Sequence, residues 1–254
     1  MSLSPMLLSV VLDGRVDRAR ARQQAELCAR LGFAGVWWRQ PPHLGPSPTD
    51  MPSLVAGLRN TPGTLRVGVM ADLSGVGAGE LEALVLAGDV YIALLGSARE
   101  LESCRLSLSP GARRRVIAVS TGQRRPGGAG SDETGGFTAG ALLAARPGRE
   151  LGRELAAVRG AAAGRPVIAE VCVSVGRTGA EAAARADPEP LFARLGHPRE
   201  QGLFGSLEEC QHMAAQLAHV GANELACNLP LTADIADVLA QLRAVSPVAP
   251  WRQH

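Results

Sequence analysis

His43, in Arg39-Gln-Pro-Pro-His43, carries the plainest chemistry, because an imidazole exchanges a proton near neutral pH. It follows the apolar run Phe33–Trp38, where a strand should end; its bland reading is a surface-loop histidine beside prolines. Ser120-Thr121-Gly122 closes another apolar run with small residues. Their backbone N–H groups and hydroxyls are the donors a phosphate needs. Gly127-Gly128, Gly135-Gly136, Arg124 and Arg125 extend that stretch, as a phosphate cradle or as a solvated loop. Arg177-Thr178 follows a third run, with Glu181 three residues after Thr178, so a phosphate contact and a helix capping box both fit. Asp72 and Ser74 follow a fourth, as ligand contacts or loop caps.

Other chemistries are excluded or weakly supported. All 26 basic residues are arginines, which removes lysine Schiff-base chemistry and the Gly-Lys of a P-loop. No G-x-S-x-G elbow occurs. The five histidines give no metal-ligand spacing beyond His212 and His219, which lack an obvious third ligand. Gly205-Ser206-Leu-Glu-Glu209 reads as a capped helix start, since its acids would repel a phosphate. A formal charge of +2 indicates neither a nucleic-acid nor a membrane partner. Five cysteines without CxxC spacing, and an opening run that ends at Asp13, suggest reduced thiols in a cytoplasmic protein.

The elements that must position these residues alternate. Apolar runs at Met6–Leu12, Phe33–Trp38, Leu65–Ala71, Asp89–Leu95, Arg115–Ser120, Phe137–Ala144, Pro166–Val175 and Glu224–Leu229 read as strands. Helical patterns lie between them, clearest at Val16–Leu31 with Gly32 as its stop and at Ser206–Val220. Glu181–Leu195 is helical but broken at Pro188 and Pro190. Trp37 and Trp38 alternate, so one should face the barrel interior and one the helices. Eight strand–helix units in 254 residues predict a single-domain α/β fold, a (β/α)8 TIM barrel over residues 1–254. An open doubly wound sheet competes, but Leu12-Asp13-Gly14-Arg15 lacks its G-x-G-x-x-G fingerprint. In a barrel, the loops after the strands form the active face, which carries every candidate named above from His43 to Thr178.

Four stretches resemble the luciferase-like monooxygenase family. These are Ala29-Arg-Leu-Gly-Phe-Ala-Gly-Val-Trp-Trp38, Val175-Gly-Arg-Thr-Gly-Ala-Glu-Ala182, Gly202-Leu-Phe-Gly-Ser-Leu-Glu-Glu209 and Val220-Gly-Ala-Asn-Glu-Leu-Ala-Cys227. The likeness is best over 166–245, fair over 20–71 and weak over 72–165. It implies a luciferase-like barrel with shortened loops, binding FMN or the deazaflavin coenzyme F420. The implied reaction is monooxygenation or hydride transfer on a small organic substrate. It further implies that the region of Asp72 and Ser74 packs against the flavin ring; joined to the residue readings above, the expected flavin contacts are Asp72, Ser74, Ser120, Thr121, Gly122, Arg177 and Thr178, with His43 as the acid/base group. A homodimer, and a separate reductase supplying reduced flavin, are the implied partners. Two departures stand out: Arg39-Gln-Pro-Pro-His43 replaces the family's acidic-His-His cluster, and Leu86-Ala-Gly-Asp89 its S-x-G-R passage. They support a second reading, a non-catalytic relative that binds a flavin or a partner.

Overall fold

A computed structural model describes residues 6–13, 17–39, 65–73, 78–87, 90–95, 98–120, 141–143, 152–156, 158, 166–230 and 234–245. The strands are β1 (Leu7–Asp13), β2 (Gly35–Arg39), β3 (Arg66–Asp72), β4 (Val90–Leu95), β5 (Val116–Ser120), β6 (Ala141–Leu143), β7 (Val167–Gly176), β8 (Leu203–Ser206) and β9 (Glu224–Asn228). All pairings are parallel. They run in order from β1 to β7, then β7 to β9 and β9 back to β1, so eight strands close into a barrel.

The expected strands are all present, each within a few residues of its expected ends. The ninth, β8, has no counterpart among the expected strands and leads directly into the expected helix capped by Ser206. It lies outside the ring, on the far half of β7, with Val173 opposite Leu203 and Gly176 opposite Ser206. Two features make room for it. β7 is ten residues long and has spare edge beyond its ring partners. Gly202 has no side chain: a Cβ there would lie 1.8 Å from the Cys172 carbonyl oxygen.

Helix α1 (Arg18–Leu31) starts where Asp17 accepts from the Arg20 N–H at 2.9 Å. It stops at Gly32, whose φ of 77° is the left-handed conformation that glycine adopts at little cost. Between strands lie α2 (Ala78–Ala87), α3 (Ala98–Ser107) and the single turn α4 (Pro110–Arg113). After β7 come α5 (Gly179–Ala186), α6 (Pro190–Leu195) and α7 (Pro198–Gln201), the break at Pro188 and Pro190 falling as expected. The capped helix α8 (Leu207–Val220) and the closing α9 (Ile235–Val245) complete the order. Ser206 and Glu209 form a reciprocal capping box at the start of α8, the Ser206 N–H donating to Glu209 at 2.7 Å.

Strand alternation divides the apolar residues into two layers. Val11, Trp37, Met70, Ala93, Ile117, Leu142, Ile168 and Ala226 fill the barrel interior. Trp38, with Val10, Val36, Val69, Ile92 and their neighbours, packs between strands and helices. The two tryptophans therefore part to opposite faces. Gly68 makes the inward position of Trp37 feasible, since a Cβ on it would meet the Trp37 ring at 2.3 Å. All five cysteines are buried free thiols. Among the described residues, no helix is long and apolar enough to cross a membrane.

Candidate functional site

Two buried carboxylates interrupt the apolar interior, one at each end of the barrel. Glu224, at the start of β9, accepts from the Ser9 hydroxyl and from Trp37 Nε1 at 3.4 Å, and pairs with Arg66 at the start of β3. The Arg66 guanidinium lies 5.6 Å from the Trp37 ring centroid and 5.5 Å from that of Tyr91. Arg115 stacks on Tyr91 as well, at 5.4 Å. This charge-compensated floor lies at the N-terminal end of the strands, the end that serves stability in barrels.

The second carboxylate belongs to the mouth. Glu170 of β7 pairs with Arg39, the last residue of β2, and accepts from Asn228 Nδ2, the last residue of β9, at 2.8 Å. Asn228 Nδ2 also lies 3.4 Å from the Val171 carbonyl oxygen, and Arg39 Nη2 lies 3.5 Å from the Met70 sulfur. Arg39 and Asn228 are strand-terminal, so the cluster sits at the C-terminal opening, above the apolar layer of Met70, Leu142 and Ile168. The Arg39 side chain keeps 17% of its surface exposed, whereas Glu170 and Asn228 are almost fully covered. Two polar atoms here lack a hydrogen-bond partner among the described residues, Arg39 Nε and Asn228 Oδ1. A buried orphan of this kind is rare in a folded protein and points to a group supplied from elsewhere.

The sequence candidates share that opening only in part. Asp72 ends β3 opposite Leu95, and Ser120 ends β5 opposite Leu143, so both backbones reach the C-terminal rim. Arg177 and Thr178 follow the end of β7 on the same side. Thr178 caps α5, its hydroxyl accepting from the Glu181 N–H at 3.2 Å. Glu181 accepts in turn from the Arg177 N–H at 2.8 Å and Arg177 Nε at 3.3 Å, and from Arg185 at 2.6 Å. The Arg177 N–H, helped by the guanidiniums of Arg177 and Arg185, holds the Glu181 carboxyl below its usual range. Thr178 therefore caps α5 without the reciprocal bond of a capping box, since Glu181 turns to the Arg177 N–H, and the exposed Arg177 side chain shares its charge with Glu181. His43, Ser74, Thr121 and Gly122 lie outside the described residues, as do Arg124, Arg125 and Gly127-Gly128.

Sequence reasoning missed the Arg39–Glu170–Asn228 cluster. Its signal was present: Glu170 is one of two polar residues in an otherwise apolar strand, and a lone inward acid needs a partner. Nothing local identifies that partner. Among the described residues, no group of three His, Cys, Asp or Glu side chains is placed to hold a metal ion.

No family model matches the sequence, and neither does any curated protein. Solved structures do match. An F420-dependent secondary alcohol dehydrogenase, in complex with an F420–acetone adduct, superposes with a TM-score of 0.69 at 13% identity, covering 96% of this chain and 99% of that one. The coenzyme F420-dependent tetrahydromethanopterin reductase of Methanopyrus kandleri gives 0.68 at 10% identity, over 94% and 98%. This chain has their fold. The oxygenating constituent of 3,6-diketocamphane monooxygenase from Pseudomonas putida, a type II Baeyer-Villiger monooxygenase in complex with FMN, gives 0.65 at 10% identity, over 96% and 98%. The chain is thus a (β/α)8 barrel with the fold of these structures, matched along nearly its whole length.

Proposed function

We propose that the chain is a flavin-dependent oxidoreductase, using FMN or F420 on a small organic substrate held at the C-terminal mouth of its barrel. The observation that carries this reading is the end-to-end match of the fold to F420- and FMN-dependent enzymes. The mouth supports it: partnerless buried polar atoms above an apolar floor suit a flat, mostly apolar ring with a polar edge. Bound there, the flavin would supply the electron transfer, and the protein would orient it and exclude water.

Each residue has a distinct part in this reading. Ser120, Thr121 and Gly122, with Arg177 and Thr178, hold the phosphate tail on amides, hydroxyls and a guanidinium. Asp72 and Ser74 border the ring. His43 passes a proton to or from the substrate. Arg39 and Asn228, fixed by Glu170, face the mouth. The assembly proposed is a homodimer, with a separate reductase delivering reduced flavin to a cytoplasmic enzyme. Gel filtration returning a strict monomer counts against the dimer.

Titration with FMN and with F420, followed by fluorescence quenching, tests the central claim. Micromolar binding of one cofactor is expected, and binding of neither removes the reading. One observation favours a second reading, a ligand-binding relative without turnover. Arg39, engaged with Glu170, ends β2 at the point after which the family carries its acidic-His-His cluster and this chain does not. Binding of a flavin without any substrate-dependent oxidation of its reduced form would decide for that relative.

A further inference from the structure

We propose that Asn228 accepts a hydrogen bond from the imide N–H of the bound cofactor, with Arg39 beside it as donor to an adjacent carbonyl. This deepens the proposed function and rests on it. The imide edge, carbonyl–N–H–carbonyl, is chemistry that FMN and F420 share.

The argument begins with the orientation of the Asn228 amide. A carboxamide has a donor end and an acceptor end, and the two are told apart by their partners. Asn228 Nδ2 lies 2.8 Å from Glu170 Oε1 and 3.4 Å from the Val171 carbonyl oxygen. Both partners are acceptors, so the NH2 must face them, and flipping the amide would set oxygen against oxygen. Oδ1 is thereby committed to the other direction. It is buried, in a residue with 1% exposure, and has no partner among the described residues. Among the described residues no donor reaches it, so a ligand that completed it would bring an N–H or O–H and not an anion.

Charge leads to the same ligand class. Arg39 would attract a carboxylate or phosphate were it free, but Glu170 already balances it. The cluster Arg39–Glu170–Asn228 is formally neutral and presents one acceptor beside guanidinium donors, with Arg39 partly open to the mouth. A neutral edge that alternates acceptor and donor complements it. An anionic substrate head would leave Asn228 Oδ1 facing like charge. Glu170 is then a positioning residue: it fixes the amide and the guanidinium, and itself need not touch the ligand.

The test compares each cofactor with its N3-methyl analogue, which keeps the ring and both carbonyls but loses the N–H. FMN, 3-methyl-FMN, F420 and 3-methyl-F420 are titrated into the wild-type protein and the Asn228→Ala variant, and fluorescence quenching gives Kd. The wild-type protein is expected to bind whichever parent cofactor it uses roughly tenfold or more tightly than the methylated form. In Asn228→Ala that preference should fall to near unity, because the acceptor is gone and the methyl group gains room. Equal wild-type affinity for parent and methylated cofactor overturns the assignment and leaves the proposed function standing. So does a preference that persists unchanged in the variant. Binding of no parent cofactor overturns both. Should Asn228→Ala fail to fold, the wild-type comparison still refutes the assignment if the two affinities match, and Asn228→Ser replaces the variant.

Discussion

Replacing Arg66 with Met isolates a single electrostatic relation in the barrel floor. The Glu224 side chain is only 2% exposed, and Arg66 is its one cationic partner among the described residues. Losing one member of a buried pair costs about 3–5 kcal/mol, because the remaining charge is left without compensation. Ser9 and Trp37 still donate to Glu224 in the variant, and Arg66 itself is 23% exposed, so the low end applies, about 3 kcal/mol. For a domain of this size that corresponds to about 6–12 °C in Tm. The lost stacking of Arg66 on Trp37 and Tyr91 adds to the same side. Glu224→Gln alone should cost less, since Arg66 is wetter and the amide oxygen can still accept from Ser9. The double variant Arg66→Met/Glu224→Gln should be more stable than Arg66→Met by about 1 kcal/mol or more, because no buried charge remains. Urea unfolding followed by circular dichroism measures all three. The reasoning is refuted if Arg66→Met stays within about 1 kcal/mol of wild type, or if the two single losses simply add in the double variant.

Gly68→Ala drives a methyl group into the Trp37 ring, and overpacking of this kind should cost about 1–3 kcal/mol, read as a lower urea midpoint with an unchanged slope. Ser206→Ala removes the capping box of α8 and should cost about 1 kcal/mol, whereas Ser206→Thr should retain most of it, as thermal unfolding of the two will show. Burial pushes the Cys28, Cys172 and Cys210 thiols up to about 12, and raises Cys104 and Cys227 as well. The folded chain then keeps protons that the unfolded chain releases above about pH 9, so these thiols' contribution to stability declines as pH rises from there towards 12. At pH 8 a thiol reagent should leave the native protein almost unlabelled and modify five cysteines in denaturant; rapid native labelling would contradict the burial of these thiols.

The local features of the chain were legible in its residues. Gly32 was legible as the end of α1, because glycine takes the left-handed cap conformation at little cost after an amphipathic run. Ser206 announced a helix cap and Thr178 with Glu181 a capping box; both cap, but the reciprocal box forms at Ser206 and Glu209. Adjacent tryptophans in a strand had to part, and Trp37 and Trp38 do. Such features depend on neighbours within about one helical turn or one strand, which the sequence contains. β8 escaped because four residues with two glycines carry little periodicity, and only the exposed edge of β7 makes them a strand. The polar cluster of the mouth escaped for a stronger reason. Arg39 meets Glu170 across 131 residues and Asn228 meets Glu170 across 58, distances over which spacing carries no information. Barrel closure alone sets the register that turns a strand-end arginine, a mid-strand acid and a strand-end amide towards one point. Composition decided that these polar groups would need partners; the tertiary fold decided which ones they met, and left the Asn228 acceptor without one among the described residues.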